Sequence, residues 1–526
     1  MHILLTFLLL AACGQPEPVF NECDREAAGP LAPLPLHDAR VDEADWIDPM
    51  AGAGVTVGDI DGDGLRDLIL AQRGPAQLLI QTPDGDFVDQ TEVLWPEVRT
   101  DLFSAAAHMV DIDGDEDLDV FVCHNGTPGR FVDQPNALFI NDGTGALADA
   151  SAAWGVDQMV RPCYGASFGD INGDEDLDIA LANYDPCEGD GCDRILDWPS
   201  PQILWVQTPV GFIDVSDRLG ERASSSLPHL ASLLDVDGDL DVDLFLVNDD
   251  RGDIDFSEHT LLYLNDGEGL MDLADPLHGA EHALEAMGLG IGDLNGDLAV
   301  DMVMPGVEQF ALMESLPGGG WCESAKASAL VVSEGTGRHY GWGTVLADLD
   351  NDGDLDIPVV FGQLLGEPGP DNPEQQPDAL YLNDGEGMFE EVAEAWGFDD
   401  RGTGRGMVVS DLNGDGWLDI IKRELMGPPR AYTANCGAAA WLEVSLRQDG
   451  ANSHAIGAVV TATAGDRSWR RWVVLGGTGL SSSGDGAVHI GLGDVDVLDT
   501  LAVIWPDGAE TVLTDVDTRQ ALRVER

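Results

Sequence analysis

Short apolar runs recur along the chain, and each follows a run of alternating acidic residues. LILA follows Asp67, VFVC follows Asp119, IALA follows Asp178 and LFLV follows Asp243. Runs of this length and composition, bounded by turn-forming residues, predict buried strands. A second strand-like stretch precedes each acidic run, such as GVTVG before Asp59, GASFG before Asp170 and GTVLA before Asp348. A third ends in Asn-Asp-Gly, as in LFINDG at 138–143 and LYLNDG at 262–267 and 380–385, a tip suited to a hairpin with positive φ. A fourth segment, ALADASAAWG or MFEEVAEAWG, closes the unit.

The acidic run is itself a repeat. The pattern Asp-x-Asp/Asn-x-Asp-x-x-x-Asp begins at Asp59, Asp111, Asp170, Asp235, Asp293, Asp348 and Asp411, at offsets of 52, 59, 65, 58, 55 and 63 residues. Four short strands in such a repeat make one blade of a propeller, so the chain is expected to form an all-β, seven-bladed β-propeller. The last copy ends without a fourth segment. LHDARVDEADW at 36–46 is expected to seal the ring from the other end of the chain.

The loop chemistry points to metal. Positions 1, 3, 5, 7 and 9 are Asp59, Asp61, Asp63, Leu65 and Asp67 in the first copy, and Asp111, Asp113, Asp115, Asp117 and Asp119 in the second. They are Asp170, Asn172, Asp174, Asp176 and Asp178 in the third, and Asp235, Asp237, Asp239, Asp241 and Asp243 in the fourth. The fifth has Asp293, Asn295, Asp297, Ala299 and Asp301; the sixth Asp348, Asp350, Asp352, Asp354 and Asp356; the seventh Asp411, Asn413, Asp415, Trp417 and Asp419. Two carboxylates ~4 Å apart repel by roughly 4 kcal/mol at an effective dielectric of 20, so a cation is expected in each loop. Oxygen-only ligation, with the position-7 carbonyl adding a donor, favours Ca2+, up to seven ions. An EF-hand would place Glu at position twelve, where this chain has Leu70, Val122, Leu181, Leu246, Met304, Val359 and Lys422.

Charge narrows the partners. With 97 acidic and 25 basic residues the net charge is −72, which argues against nucleic acid or anionic membrane surfaces. Seven Ca2+ would move it only to −58, and the loops hold 31 of the 97 acidic residues, so most of the charge serves solubility, salt tolerance or a basic partner. Only Lys326 and Lys422 are lysines.

The opening MHILLTFLLLAAC is expected to be a lipoprotein signal peptide (1–12), with Cys13 lipidated and residues 13–35 a tether. This places the protein outside the cell, on the outer membrane or cell surface, or secreted. Among the cysteines, Cys187 and Cys192 are the candidate disulfide pair. Zinc at Cys163, Cys187 and Cys192 is a competing reading of the same residues.

The repeats resemble the FG-GAP, or VCBS, family, whose blades carry the same Asp-x-Asp-x-Asp-Gly-x-x-Asp loop and Asn-Asp-Gly hairpin. The resemblance implies a propeller over 36–437 with calcium between the first and second strands of the blades. Residues 438–526, with Ile-Gly-Ala, Gly-Leu-Gly and Trp-Pro-Asp-Gly, are similar to the ASPIC/UnbV domain, although GGTGLSSSG departs from that pattern. The combination resembles the cartilage acidic protein family. The net charge is −5 from residue 438 onward and −67 before it, so composition changes where the motifs change. This second domain is expected to be a small β-sandwich or barrel.

Three further motifs were weighed. His278, Glu281 and His282 read as a zinc-hydrolase motif but fall in a connection between blades. Arg251-Gly252-Asp253 reads as a chance tripeptide. Arg467, Trp469, Arg470, Arg471 and Trp472 are either core packing or a patch docking onto the acidic propeller. No catalytic residues are assigned. The expected function is a monomeric, calcium-binding adhesion or scaffold module for a protein or glycan. The alternative is a polysaccharide-degrading enzyme with its site in the propeller channel.

Overall fold

The computed structural model describes residues 31–526 except 35, 37–53, 73, 128–129, 132–133, 185–202, 225, 249–258, 276–277, 283, 326–329, 331–338, 364–375, 386, 426 and 435–436. It is all-β and propeller-like. Seven antiparallel sheets with four strands in sequence order, or completed from the N-terminal side, follow one another among the described residues. The first comprises Val55–Gly58, Asp67–Leu70, Gln77–Gln81 and Phe87–Asp89. In the second, Phe103–Val110 and Asp119–Thr127 pair through the acidic loop, followed by Ala137–Asn141 and Leu147–Asp149.

The first two strands of the sheets are largely buried on both faces because neighbouring sheets stack on either side. Phe103–Val110, Pro228–Leu234 and Asp243–Asn248 are buried at every position, which explains continuous apolar runs where a one-sided sheet would alternate. Inner strands of neighbouring sheets pack together, and the first sheet meets the seventh.

The seventh sheet corrects one expectation. Gly404–Ser410, Asp419–Glu424 and Arg430–Thr433 are completed by Ala32–Leu34, with Ala32 opposite Thr433 and Leu34 opposite Ala431. The closing strand thus comes from the stretch expected to be a tether, upstream of 36–46, of which only Leu36 lies among the described residues. Pro33 is compatible with this place because an edge strand tolerates a missing donor. The fourth segments are also not strands throughout. Leu147–Asp149 gives way to a helical turn at Ser151–Trp154, and Phe389–Glu391 to one at Ala393–Trp396. Each turn stops at a left-handed glycine, Gly155 (φ 73°) or Gly397 (φ 74°).

Toward the C-terminus two sheets form a sandwich. One orders Val488–Gly493, Ala440–Arg447 and Gln520–Glu525; the other orders Arg467–Trp472, Val459–Ala464, Val497–Ile504 and Glu510–Asp517. Leu442, Val460, Ile490, Leu501 and Trp505 fill the space between them. Burial alternates along Ala440–Arg447, as one covered face requires.

Cys123 and Cys163 form a disulfide joining the second and third sheets. That removes the Cys163 thiol from any zinc site. The candidate pair Cys187 and Cys192, Cys13 and Arg251-Gly252-Asp253 lie outside the described residues. Residues 279–282 are not helical, so no helix carries His278 and His282 together, and Glu281 is held by Arg222 (2.9 Å) and His259 (3.1 Å); the zinc-hydrolase geometry is not formed.

Candidate metal centres and the domain that covers them

All seven acidic loops share one backbone solution. Position 4 is left-handed throughout: Gly62, Gly114, Gly173, Gly238, Gly296 and Gly414 in six loops, Asn351 (φ 58°) in the sixth. Position 6 is left-handed too, and there Glu116, Glu175, Leu240 and Leu298 adopt φ of 65–78° despite their side chains. What holds them is the first aspartate. Its Oδ2 accepts the position-6 N–H in every loop at 2.7–3.0 Å, from Asp59 with Gly64 to Asp411 with Gly416. That bond offsets a cost of roughly 1 kcal/mol for each non-glycine in this region.

The last aspartate has a distinct role. In every loop its Oδ2 accepts the N–H of position 2 at 2.9–3.1 Å. Its Oδ1 accepts the N–H at or just beyond the end of the third strand, as Asp119 does from Asn141 (2.8 Å) and Asp356 from Asn383 (3.0 Å). Burial, reinforced by neighbouring carboxylates, pushes Asp67 and Asp301 up to about 7 and Asp119, Asp178 and Asp243 up to about 8. These aspartates latch loop to sheet whatever else they bind. Sequence reasoning treated them as ligands equivalent to the other positions.

Oxygen atoms of Asp59, Asp61 and Asp67 lie within 4.8 Å of one another, as do those of Asp111, Asp113 and Asp115, of Asp235, Asp237 and Asp239, and of Asp348, Asp350 and Asp356. These clusters can hold a metal ion, and their donors are the oxygens that a hard divalent cation takes. The third, fifth and seventh loops place an amide oxygen, from Asn172, Asn295 or Asn413, among their carboxylates. At position 7, a Cβ added at Gly143, Gly267 or Gly385 would lie 2.4–2.6 Å from a carboxylate oxygen of Asp117, Asp241 or Asp354, so these side chains lean on the Asn-Asp-Gly tip. Leu65, Ala299 and Trp417 supply no side-chain oxygen there, and Trp417 is buried against Gly437.

The hairpin asparagine joins neighbouring sheets. Asn141 Nδ2 donates to Ile60 O (2.8 Å) in the preceding loop and to Leu118 O (3.0 Å) in its own. Asn265 and Asn383 repeat this with Ile171 and Leu294. Gln81 does it across the ring closure, to Leu412 O (2.8 Å). In the sequence the three asparagines read only as turn formers.

The C-terminal sandwich sits on this same loop face. Arg66 in the first loop bonds Glu443 (2.6 Å) and Asp485 (2.7 Å) and reaches Asp411 O of the seventh (2.8 Å). Ser453 Oγ bonds Asp111 of the second. Arg470 donates to Leu298 O (2.7 Å) of the fifth, and His489 Nε2 meets Asn351 Oδ1 (2.7 Å) of the sixth. The Trp441 ring lies on Gly416 of the seventh, where an added Cβ would come within 1.7 Å of Cε2. The arginine and tryptophan patch resolves into both of its expected roles. Trp469 is buried in the sandwich core with Arg467 stacked on it (5.3 Å), while Arg470 and Arg471 face the loops.

GGTGLSSSG goes further, between the inner strands of the ring. Leu475–Gly476 adds to the third sheet opposite Ser167 and Phe168. Gly479 bonds Thr344 O (3.1 Å) and Met407 N (3.0 Å), and Ser483 exchanges backbone bonds with Val55 and Val57 (3.1 Å each). Gly477 lies against Ser232. Glycine is required by contact: a Cβ on Gly476 would sit 2.0 Å from Ala166 O, and one on Gly479 2.4 Å from Met407 O. The chain's own backbone thus enters the ring, and beside it a cavity of about 180 Å³, lined by Arg66, Asp348, Asp411, Glu443, Arg471 and His489, remains between the inner strands and the sandwich.

Comparison with known proteins agrees with this architecture. A model described as FG-GAP-like repeat matches residues 59–122, 111–181 and 368–421, and one described as ASPIC and UnbV matches 448–526. Cartilage acidic protein 1 of Mus musculus is 29% identical over 168 residues, 31% of this chain and 25% of the relative. The Homo sapiens protein is also 29% identical over 168 residues, 24% of its own length. The chain thus spans about a quarter of the curated relatives it matches. Among solved structures, an Agrocybe aegerita lectin recognising non-reducing terminal N-acetylglucosamine aligns at TM-score 0.36 and 14% identity, covering 65% of this chain and 79% of the lectin. The V. cholerae biofilm matrix protein Bap1 aligns at 0.30 and 12%, covering 93% of this chain and 76% of that one. Both scores are low, and the fold rests on the sheets themselves. This chain carries FG-GAP-like repeats followed by a C-terminal ASPIC and UnbV domain, with weak homology to cartilage acidic protein 1.

Proposed function

We propose that this is a calcium-loaded extracellular binding module, a monomeric adhesion or scaffold protein for a protein or glycan and not an enzyme. The supporting observation is the set of seven oxygen-rich loops on one face, directly beneath the second domain. Calcium there would neutralise carboxylates that burial otherwise drives toward protonation, and would fix the platform on which the C-terminal sandwich rests. The bound ions are structural in this reading. Partner recognition falls to the opposite face and the outer strands, because the loop face is taken by the chain itself. Repeats and a terminal domain of these families suit an extracellular setting, as does a disulfide.

The proposed domains are the propeller over 36–437, extended by Ala32–Leu34, and the sandwich over 438–526. Cys13 carries the lipid in this reading, so Cys13→Ala should move the full-length protein from the detergent to the aqueous phase on Triton X-114 partition. A glycan and protein array probed with the full chain tests the binding role. Selective signal lost in EDTA and regained with Ca2+ supports it, and turnover of a polysaccharide by the same preparation would replace it with the enzymatic reading.

A further inference from the structure

Lys422 stands where six other repeats place Leu, Val or Met. Its side chain is fully buried in the second strand of the seventh sheet. An unpaired ammonium there would be prohibitive, and three carboxylates gather around it. Nζ contacts Asp378 Oδ2 and lies 2.9 Å from Glu424 Oε1 and 3.0 Å from Asp400 Oδ2. Phe398 and Tyr432 close over it, with ring centroids 5.9 and 6.0 Å from Nζ.

Asp378 precedes the third strand of the sixth sheet, and its side chain is likewise fully buried. Its other oxygen, Oδ1, accepts the Phe361 N–H at 2.8 Å. The equivalent bond in the second sheet runs from His124 N to Asn136 Oδ1 (3.1 Å). The acceptor oxygen is thus a feature of the repeat, whereas among the described residues an acid facing a lysine belongs to this seam alone.

We propose that Lys422 and Asp378 condense into an intramolecular isopeptide bond that joins the sixth and seventh sheets, with Glu424 as the proton acceptor. The ammonium gives one proton to Glu424 Oε1. The freed Nζ attacks Cγ of the Asp378 carboxylic acid, and a C–N bond forms as the C–Oδ2 bond breaks. The departing hydroxyl takes a second Nζ proton and leaves as water, and Oδ1, held by Phe361 N–H, remains as the amide oxygen. No co-reactant is needed.

Two physical features favour the step. Burial pushes Asp378 up to about 8, with Lys422 opposing only in part, so the carboxyl is the neutral, electrophilic acid at neutral pH. Condensation also replaces the buried Lys422–Glu424 ion pair by a neutral amide and a protonated Glu424, relieving a desolvation cost that persists while the ions remain. Burial alone would lower Lys422, but the surrounding carboxylates, Asp378 first while it is ionised, raise it, so the ammonium needs a carboxylate base in contact with it; Glu424, 2.9 Å away on the same strand, is the one assigned. The bond would fasten a ring otherwise closed by the three-residue strand Ala32–Leu34.

The test is peptide mapping of the reduced, denatured full-length chain after amine labelling, which is simple because Lys326 and Lys422 are its only lysines. The expected result is label on Lys326 alone, and a linked pair of peptides, holding Asp378 and Lys422, lighter by one water than their sum. Glu424→Gln, verified as folded by circular dichroism, should leave the peptides unlinked and Lys422 labelled. Wild-type chain with free peptides and labelled Lys422 would overturn the bond, and a linked Glu424→Gln chain would overturn the assigned acceptor.

Discussion

Asp119 shows how much a single loop residue can hold. Its two carboxylate oxygens accept the N–H groups of Ile112 (3.1 Å) and Asn141 (2.8 Å), both buried. Asp119→Ala leaves both donors unpaired and should destabilise by roughly 2–5 kcal/mol in urea unfolding, even in EDTA. An effect seen only with Ca2+ would make the residue a ligand and nothing more. The same burial sets a pH dependence. Burial holds Asp119, Asp178 and Asp243 up to about 8 when folded, against an ordinary aspartate value of 3.8. Between those values the folded, metal-free chain binds more protons than the unfolded one, so this contribution to stability falls as pH rises from about 4 to about 8. Thermal melts in EDTA across that window should show the decline, and saturating Ca2+ should flatten it by displacing the protons. At this scale the sequence was legible where spacing repeats: all seven loops form where the pattern places them. The latching role of the ninth position was not legible, because an aspartate that ligates and one that accepts two amides are written with the same letter.

At the scale of elements, the strands and hairpins followed from periodic apolar runs and Asn-Asp-Gly tips. Contacts between distant segments did not. The Cys123–Cys163 disulfide spans 40 residues without a local signal. The three-residue strand Ala32–Leu34 is too short for any periodicity to mark. GGTGLSSSG looked like a departure from its family pattern, and its glycines are explained only by the strands that close around them. Gly476 has φ 71° and approaches Ala166 O, so Gly476→Val should expel the segment from the channel. Calorimetry should then resolve separate transitions for propeller and sandwich, with faster proteolysis between them. A single transition at the wild-type temperature would show that the segment only lies beside the inner strands.

Over the whole molecule, the two parts differ in charge, −67 before residue 438 and −5 after it, and the smaller part covers the face where acidic loops concentrate. Docking such a domain buries carboxylates that repel one another, and arginines alone do not neutralise them. Of the interface arginines, Arg66 is paired to Glu443 and Asp485, and Arg471, which donates to backbone carbonyls, opposes through its charge the burial that raises Asp348 but does not overcome it. Cations in the loops would relieve that repulsion, each contributing about 2.7 kcal/mol when present at a hundred times its dissociation constant. Thermal unfolding of the purified protein with and without EDTA, with bound calcium counted by elemental analysis, tests this directly. The expected result for calcium-filled loops is about seven Ca2+ per chain, one for each loop, and a large fall in melting temperature on chelation. Little bound calcium together with an unchanged transition would contradict it.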